Sequence, residues 1–144
     1  MRWRVLAIGK PKLAFAAAGV EEYARRLRGM AKFELEFLRG GANESAQLLE
    51  KSEGCFRVVM DERGQQFTSP DLAKFIEKQE LAAHGTIAIL IGGADGHPAA
   101  LREKADFLWS LSKGTLPHEL ALVVALEQIY RGLTISAGHP YHRD

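Results

Sequence analysis

Cysteine is almost absent from this chain of 144 residues, where Cys55 stands alone. A single thiol cannot close an internal disulfide or build a thiolate metal site, which agrees with a reducing compartment. Its expected place is that of a small buried hydrophobe beside a strand. Long apolar runs are missing as well. The longest, Leu120 to Leu126, falls far short of the roughly 20 residues that span a bilayer, so no membrane span is expected. The segment Met1 to Gly9 is basic, but its apolar part reads as a strand and no small-residue cleavage site follows. No signal peptide is therefore expected, and the chain is assigned to the cytoplasm. Charge of one sign is also scarce, with 19 Lys and Arg against 18 Asp and Glu for a net charge of +1. A protein that coats nucleic acid by electrostatics alone needs a strongly basic domain, so any RNA contact here would be local. Arg25, Arg26 and Arg28 share one segment, and Lys10 and Lys12 another. A solvated helix face explains the arginines as well as phosphate binding does.

Several catalytic fingerprints are missing too. The first strand ends in Gly9-Lys10-Pro11-Lys12, which is not the G-x-G-x-x-G turn of a dinucleotide binder. Neither a P-loop nor a G-x-S-x-G elbow occurs, which removes P-loop phosphate chemistry and the usual α/β-hydrolases. The histidines His84, His97, His118, His139 and His142 show no metal-ligand spacing, and no metal is expected.

What remains is an ordinary globular composition, 47% hydrophobic and 26% charged, at a length that predicts one domain over residues 1–144. Trp3 to Ile8 reads as a strand, and Val20, Tyr23, Ala24 and Leu27 follow at helical spacing. Phe33 to Leu38 reads as a second strand, Ser45 to Lys51 as a helix and Phe56 to Met60 as a third strand. Ser69-Pro70-Asp71 predicts a helix start with Ser69 as N-cap and Pro70 in the first turn. Thr86 to Ile91 is almost wholly apolar, as expected of a central strand covered on both faces. Beyond it come a glycine loop at Gly92 to Gly96, a helix over His97 to Lys104, a short strand over Asp106 to Ser112 and a second loop at Ser112 to Pro117. A helix that is apolar nearly all round then runs from His118 to about Leu133, with Glu119 suited to its dipole. It is expected to be buried against its own sheet or a second subunit. The alternation predicts an α/β fold, a parallel-rich sheet with helices on both faces.

Loops at the carboxyl ends of late strands are where an open α/β sheet places a ligand. Gly92-Gly93 fits a tight turn or close backbone approach to a ligand, and composition alone does not choose between them. The closing His139-Pro140-Tyr141-His142-Arg143-Asp144 reads either as a polar tail or as a proton-transfer and RNA-contact cluster.

Taken together, Ile89-Leu90-Ile91-Gly92-Gly93, Trp109-Ser110-Leu111-Ser112 with Thr115-Leu116-Pro117-His118, Glu127-Gln128-Ile129-Tyr130-Arg131 and Pro140-Tyr141-His142-Arg143 closely resemble the RlmH family of small SPOUT-class enzymes. The likeness covers essentially the whole chain, including Val5 to Lys10, Glu22 to Leu27 and Asp61 to Gly64. It implies a 23S rRNA (pseudouridine-1915-N3) methyltransferase that uses S-adenosylmethionine and no metal. It also implies a C-terminal trefoil knot, a rare exception to unknotted topology, a homodimer with composite active sites, and a 23S rRNA hairpin in the assembled ribosome as substrate. Carried over by motif, Met60, Gly93 and Ser112, Lys113, Gly114, Thr115, Leu116 and Pro117 line the cofactor pocket. In the tail, His142 or His139 is the candidate general base, Tyr141 a stacking platform and Arg143 a phosphate or base clamp. Arg131 is expected to support the tail or touch RNA, with Glu127 as its orienting partner. Many family members read Gly-Gly-Pro-Glu-Gly where this chain has Gly92-Gly93-Ala94-Asp95-Gly96, and many carry Arg where Leu122 stands. A noncatalytic ribosome binder of the same fold, and a SPOUT enzyme acting on another RNA, are the alternatives, because fold does not fix substrate.

Overall fold

The computed structural model describes residues 1–82, 84–93 and 96–142, with His142 described by its backbone alone. The strands are β1 (Arg2–Ile8), β2 (Lys32–Leu38), β3 (Phe56–Gln65), β4 (Thr86–Ile91) and β5 (Phe107–Trp109). They alternate with helices α1 (Ala14–Arg28), α2 (Glu44–Lys51), α3 (Ser69–Leu81), the single turn α4 (Ala99–Arg102) and α5 (His118–Ser136), and a 3-10 turn follows at Pro140–His142. The sheet order is β2-β1-β4-β3-β5 and every pairing is parallel. The expected α/β architecture is therefore present.

Side chains alternate along each strand, so the two faces of the sheet build separate cores. Val5, Val58, Ile87, Ile89 and Ile91 pack with Val20, Ala24 and Leu27 of α1, Leu72 and Ile76 of α3, and Leu122, Leu126 and Ile129 of α5. Leu6, Val59, Ala88 and Leu90 turn the other way, onto Leu48 of α2 and Leu101 of α4. Strand β4 feeds both layers, which is why Thr86 to Ile91 is apolar throughout. The apolar girth of α5 has the same kind of cause. It lies across the sheet beside both α1 and α3, and Leu122, the position without arginine, sits in this core at 3% exposure.

Several local expectations are corrected. Thr68, not Ser69, caps α3, accepting the Asp71 N–H at 3.2 Å, and Ser69 begins the helix. The helix expected over His97 to Lys104 shrinks to the one turn of α4, with Pro98 as its N-cap and Glu103 as its C-cap. Strand β5 keeps only Phe107 to Trp109 of the expected Asp106 to Ser112, while β3 runs five residues past Met60. Cys55 directly precedes β3 but is half-buried rather than enclosed. Glu119 has a task beyond the dipole of its own helix. Its Oε1 accepts both the Lys12 and Leu13 N–H groups at 2.9 Å, serving the start of α1, whose N-cap Leu13 has no capping side chain.

Candidate active site

Parallel strands bring their carboxyl ends to one edge of the sheet, and the longest irregular loops emerge there after β4 and β5. The β3 extension joins them. Met60 and Gln65 both pair with Trp109, so residues 61–64 bulge out between two pairings to one residue of β5. Gly64 is required at that crossing. A Cβ there would lie 2.6 Å from the backbone carbonyl of Leu108 and 2.7 Å from the Trp109 nitrogen.

These segments enclose a cleft of about 390 Å³ whose lining includes Met60, Gly93, Ser112, Gly114, Thr115 and Leu116. Its size suits a nucleoside-sized ligand. Across its mouth, the Thr115 hydroxyl donates to Glu62 Oε2 at 3.2 Å, linking the β3 bulge to the loop after β5. Within that loop, the Gly114 N–H donates to Ser112 Oγ at 3.0 Å, and Ser110 Oγ donates to the Ser112 carbonyl at 2.9 Å. Among the described residues, the backbone N–H groups of Leu111, Ser112, Lys113, Thr115 and Leu116 have no protein acceptor. A run of unpaired amides beside apolar Leu111 and Leu116 suits an adenine ring, whose edge needs hydrogen bonds and whose faces need cover. The residues present therefore fit an adenosine-bearing methyl donor.

The polar residues of the cleft that had no role assigned from sequence include Asp61, His97 and Arg102. The Asp61 carboxylate is nearly buried, accepts the Arg63 N–H at 2.9 Å and lies 3.4 Å from the Arg63 and 3.6 Å from the Arg102 guanidinium. Arg102 also donates to the His97 carbonyl at 2.7 Å, and His97 Nε2 lies 3.3 Å from the Leu90 carbonyl, to which it donates. Burial holds this imidazole below the ordinary histidine range, against the smaller raising influence of the Leu90 bond and Asp61. The cluster ties the glycine loop after β4 to the β3 bulge. Its sequence signal was a charged triplet, Asp61-Glu62-Arg63, at the carboxyl end of a strand.

The turn at Pro140–His142 packs elsewhere, against α5. Helix α5 ends in a Schellman arrangement, with the Gly138 N–H donating to the Ile135 carbonyl at 3.1 Å and the His139 N–H to the Thr134 carbonyl at 2.8 Å. Gly138 takes φ +70°, and the chain reverses along the groove between α1 and α5. There the Tyr141 hydroxyl donates to Glu127 Oε2 at 2.9 Å and lies 3.0 Å from the Tyr23 hydroxyl. The Tyr141 ring meets Tyr130 edge-on at 4.7 Å, with the Arg131 and Arg26 guanidinium groups 5.1 and 5.7 Å from its centre. Glu127 also binds Arg131 at 2.8 Å, the orienting pair expected from sequence. Burial first, then the Tyr23 and Glu127 hydrogen bonds, push the Tyr141 phenol well above its usual range.

The family described as "Predicted SPOUT methyltransferase" matches residues 1–142. The chain belongs to the SPOUT methyltransferase family. Among its relatives, proteins named ribosomal RNA large subunit methyltransferase H are 54% identical in Thermus thermophilus and 43% identical in Deinococcus radiodurans, each match covering 99% of both chains. Solved structures share the fold at low identity. A probable methyltransferase from Bordetella pertussis has a TM-score of 0.62 at 16% identity, covering 92% of this chain and 96% of that one. A probable methylase family protein from Haemophilus influenzae has a TM-score of 0.61 at 13% identity, covering 99% and 70%.

In this SPOUT methyltransferase, six of the eight expected cofactor residues meet in one cleft, whereas Lys113 and Pro117 are not part of its lining. Of the expected catalytic residues, Tyr141 and His139 are not part of that lining. Tyr141 is held in the α1–α5 groove by Glu127, nine residues along α5 from His118 at the cleft, roughly 13 Å of helix. Its ring is engaged by neighbours of its own chain rather than open as a platform. His139 is exposed, but its Nδ1 accepts the Tyr141 N–H at 3.2 Å, which puts the proton of the neutral ring on Nε2 and leaves no free acceptor nitrogen. Arg143, the side chain of His142 and Asp95 lie outside the described residues.

Proposed function

We propose that this SPOUT methyltransferase transfers a methyl group from S-adenosylmethionine to ring N3 of a pseudouridine in 23S rRNA within the assembled ribosome, in the cytoplasm. The observation that carries this reading is the cleft at the carboxyl ends of β3, β4 and β5, where open backbone amides lie beside a glycine loop. The relatives named ribosomal RNA large subunit methyltransferase H support the choice of substrate.

When bound, the donor supplies a methyl already activated on a sulfonium. The protein's tasks are to align the acceptor nitrogen with it and to remove the imide proton. The open amides among Leu111, Ser112, Lys113, Thr115 and Leu116 hold the adenine edge, and Met60, Leu111 and Leu116 cover its faces. His142 accepts the proton that leaves N3, Arg143 holds phosphate, and His139 shapes the turn before Tyr141. A tail docked roughly 13 Å of helix from its own cleft serves the cleft of a second copy, so the working form is a homodimer with composite sites. Exposed Leu13 and Phe15, at the start of α1 beside Glu119, support an apolar face covered by that copy. The trefoil knot of the family belongs to the same reading.

Titration calorimetry with S-adenosylmethionine tests the cleft, and no heat of binding to purified protein would sink the enzymatic reading. Mass spectrometry of ribosomal RNA from a deletion strain tests the substrate: one methyl lost from a pseudouridine of the large subunit is expected. Removing Pro140 to Asp144 should abolish transfer and leave donor affinity within about twofold, a difference under 0.5 kcal/mol.

A further inference from the structure

The densest polar contact outside the cleft joins three elements that are remote in sequence. Tyr23 stands on α1, Tyr141 in the C-terminal turn and Glu127 on α5. The Tyr141 hydroxyl has one proton, and Glu127 Oε2, 2.9 Å away, is a carboxylate oxygen that can only accept it. The 3.0 Å contact between the two phenols then has one direction: Tyr23 donates and Tyr141 accepts. The chain of bonds runs one way, from α1 through the tail into α5, and ends on a carboxylate held at both oxygens. Gln128 donates to Oε1 at 2.6 Å, and Arg131 Nε and Nη2 donate to Oε2 at 3.1 and 2.8 Å. Around it, the Arg26 guanidinium lies 5.5, 5.7 and 5.7 Å from the ring centres of Tyr23, Tyr130 and Tyr141, anchored by Glu22 at 2.6 Å.

We propose that Tyr23 and Glu127 are positioning residues for methyl transfer: through the Tyr141 hydroxyl they fix the orientation of the C-terminal turn, and with it the residues that follow Tyr141. The inference rests on the reading that this segment acts on RNA. A tail that only filled the groove needs its ring there, but it does not need two hydroxyls and a carboxylate in a directed chain. Buried polar groups add orientation that apolar contact does not.

Donor affinity, thermal midpoint and turnover on ribosomes lacking the methyl separate the possibilities, using the full-length protein. Tyr23→Phe should lower kcat by about 2- to 10-fold, the worth of one hydrogen bond, with donor Kd and thermal midpoint nearly unchanged. Glu127→Leu should lower kcat further, and Glu127→Gln, which keeps an oxygen acceptor, should recover part of the loss. Because Tyr23 acts only through the Tyr141 hydroxyl, Tyr23→Phe should add nothing to Tyr141→Phe. Wild-type kcat in Tyr23→Phe and Glu127→Leu, beside an inactive variant lacking Pro140 to Asp144, would overturn the positioning chain while keeping the tail's role. Full activity without Pro140 to Asp144 would overturn both. A loss in Tyr23→Phe that followed thermal midpoint or donor Kd would mark these residues as structural and overturn the proposal as well.

Discussion

His97 shows how one buried side chain can set a pH limit on a fold. Desolvation lowers its pKa below the ordinary 6.5, with Arg102 acting in the same direction, while the Leu90 carbonyl and Asp61 oppose the shift. In the unfolded chain the ring takes up a proton near its ordinary value, but in the folded chain only at lower pH. The unfolded state therefore binds more protons between the two values, and stability falls as pH drops through that window. The contribution is full above about pH 6.5 and is lost as pH falls towards the folded value. Urea unfolding of the wild type against His97→Gln should show a stability difference that shrinks from pH 7.5 to pH 5; a constant difference would show that the ring does not titrate in this way. Gly64 carries a constraint of shape rather than charge. Its missing Cβ lets the β3 bulge cross against the Leu108 and Trp109 backbone, where no flexible side-chain end could give way. Gly64→Ala should cost about 1 to 3 kcal/mol, as overpacking does, read from the shift in denaturation midpoint.

Helix α5 connects the cleft to the C-terminal turn. His118, at its first turn, lines the cleft, Glu127 at mid-length holds the tail, and Gly138 beyond its end turns the chain back. Gly138→Ala places a Cβ at φ +70°, which costs about 1 to 2 kcal/mol. Helix α5 keeps its core contacts in that variant, but the Schellman bonds that aim the tail weaken. Turnover on ribosomes should fall by more than tenfold, beyond the loss that about 1 to 2 kcal/mol of stability would cause in a folded population, while donor affinity holds. Equal turnover in the variant and the wild type would dissociate the reversal from catalysis. The same helix marks how far the sequence is legible. Its apolar girth and start at His118 are local patterns, as are β1, β2, β4 and the loops that follow β4 and β5. The polar stretch Asp61-Glu62-Arg63-Gly64 has no strand periodicity, and it belongs to β3 only because Trp109, far along the chain, pairs at both of its ends. Asp61 meeting Arg102, and Tyr23 meeting Tyr141 across 118 residues, are likewise products of topology that no local window contains. The terminal motif was recognisable, but its docking against α1 was not.

A protein of net charge +1 that acts on RNA presents little excess of cations to phosphate, its 19 Lys and Arg being nearly balanced by 18 Asp and Glu. On the described surface, Arg25 and Arg28 are exposed on the last turn of α1, yet Arg25 is bound to Glu22 at 2.7 Å, and Arg26 is drawn into the aromatic cluster by the same carboxylate. Counterion release scales with the number of phosphates neutralised, so binding should weaken with salt on a shallow slope, on the order of −2 to −4 in log–log terms. Affinity not drawn from phosphate has to come from shape, and a naked hairpin lacks the surrounding surface that an assembled ribosome supplies. The expected result is a kcat/KM for isolated hairpin RNA at least about tenfold below that for whole ribosomes, a difference of 1.4 kcal/mol or more. The difference should persist as salt is raised, because it does not arise from charge. Equal efficiency on the two substrates, or a steep salt slope that erased the preference for ribosomes, would place recognition in a long electrostatic groove instead, and the exposed arginines of α1 would then be the first residues to neutralise.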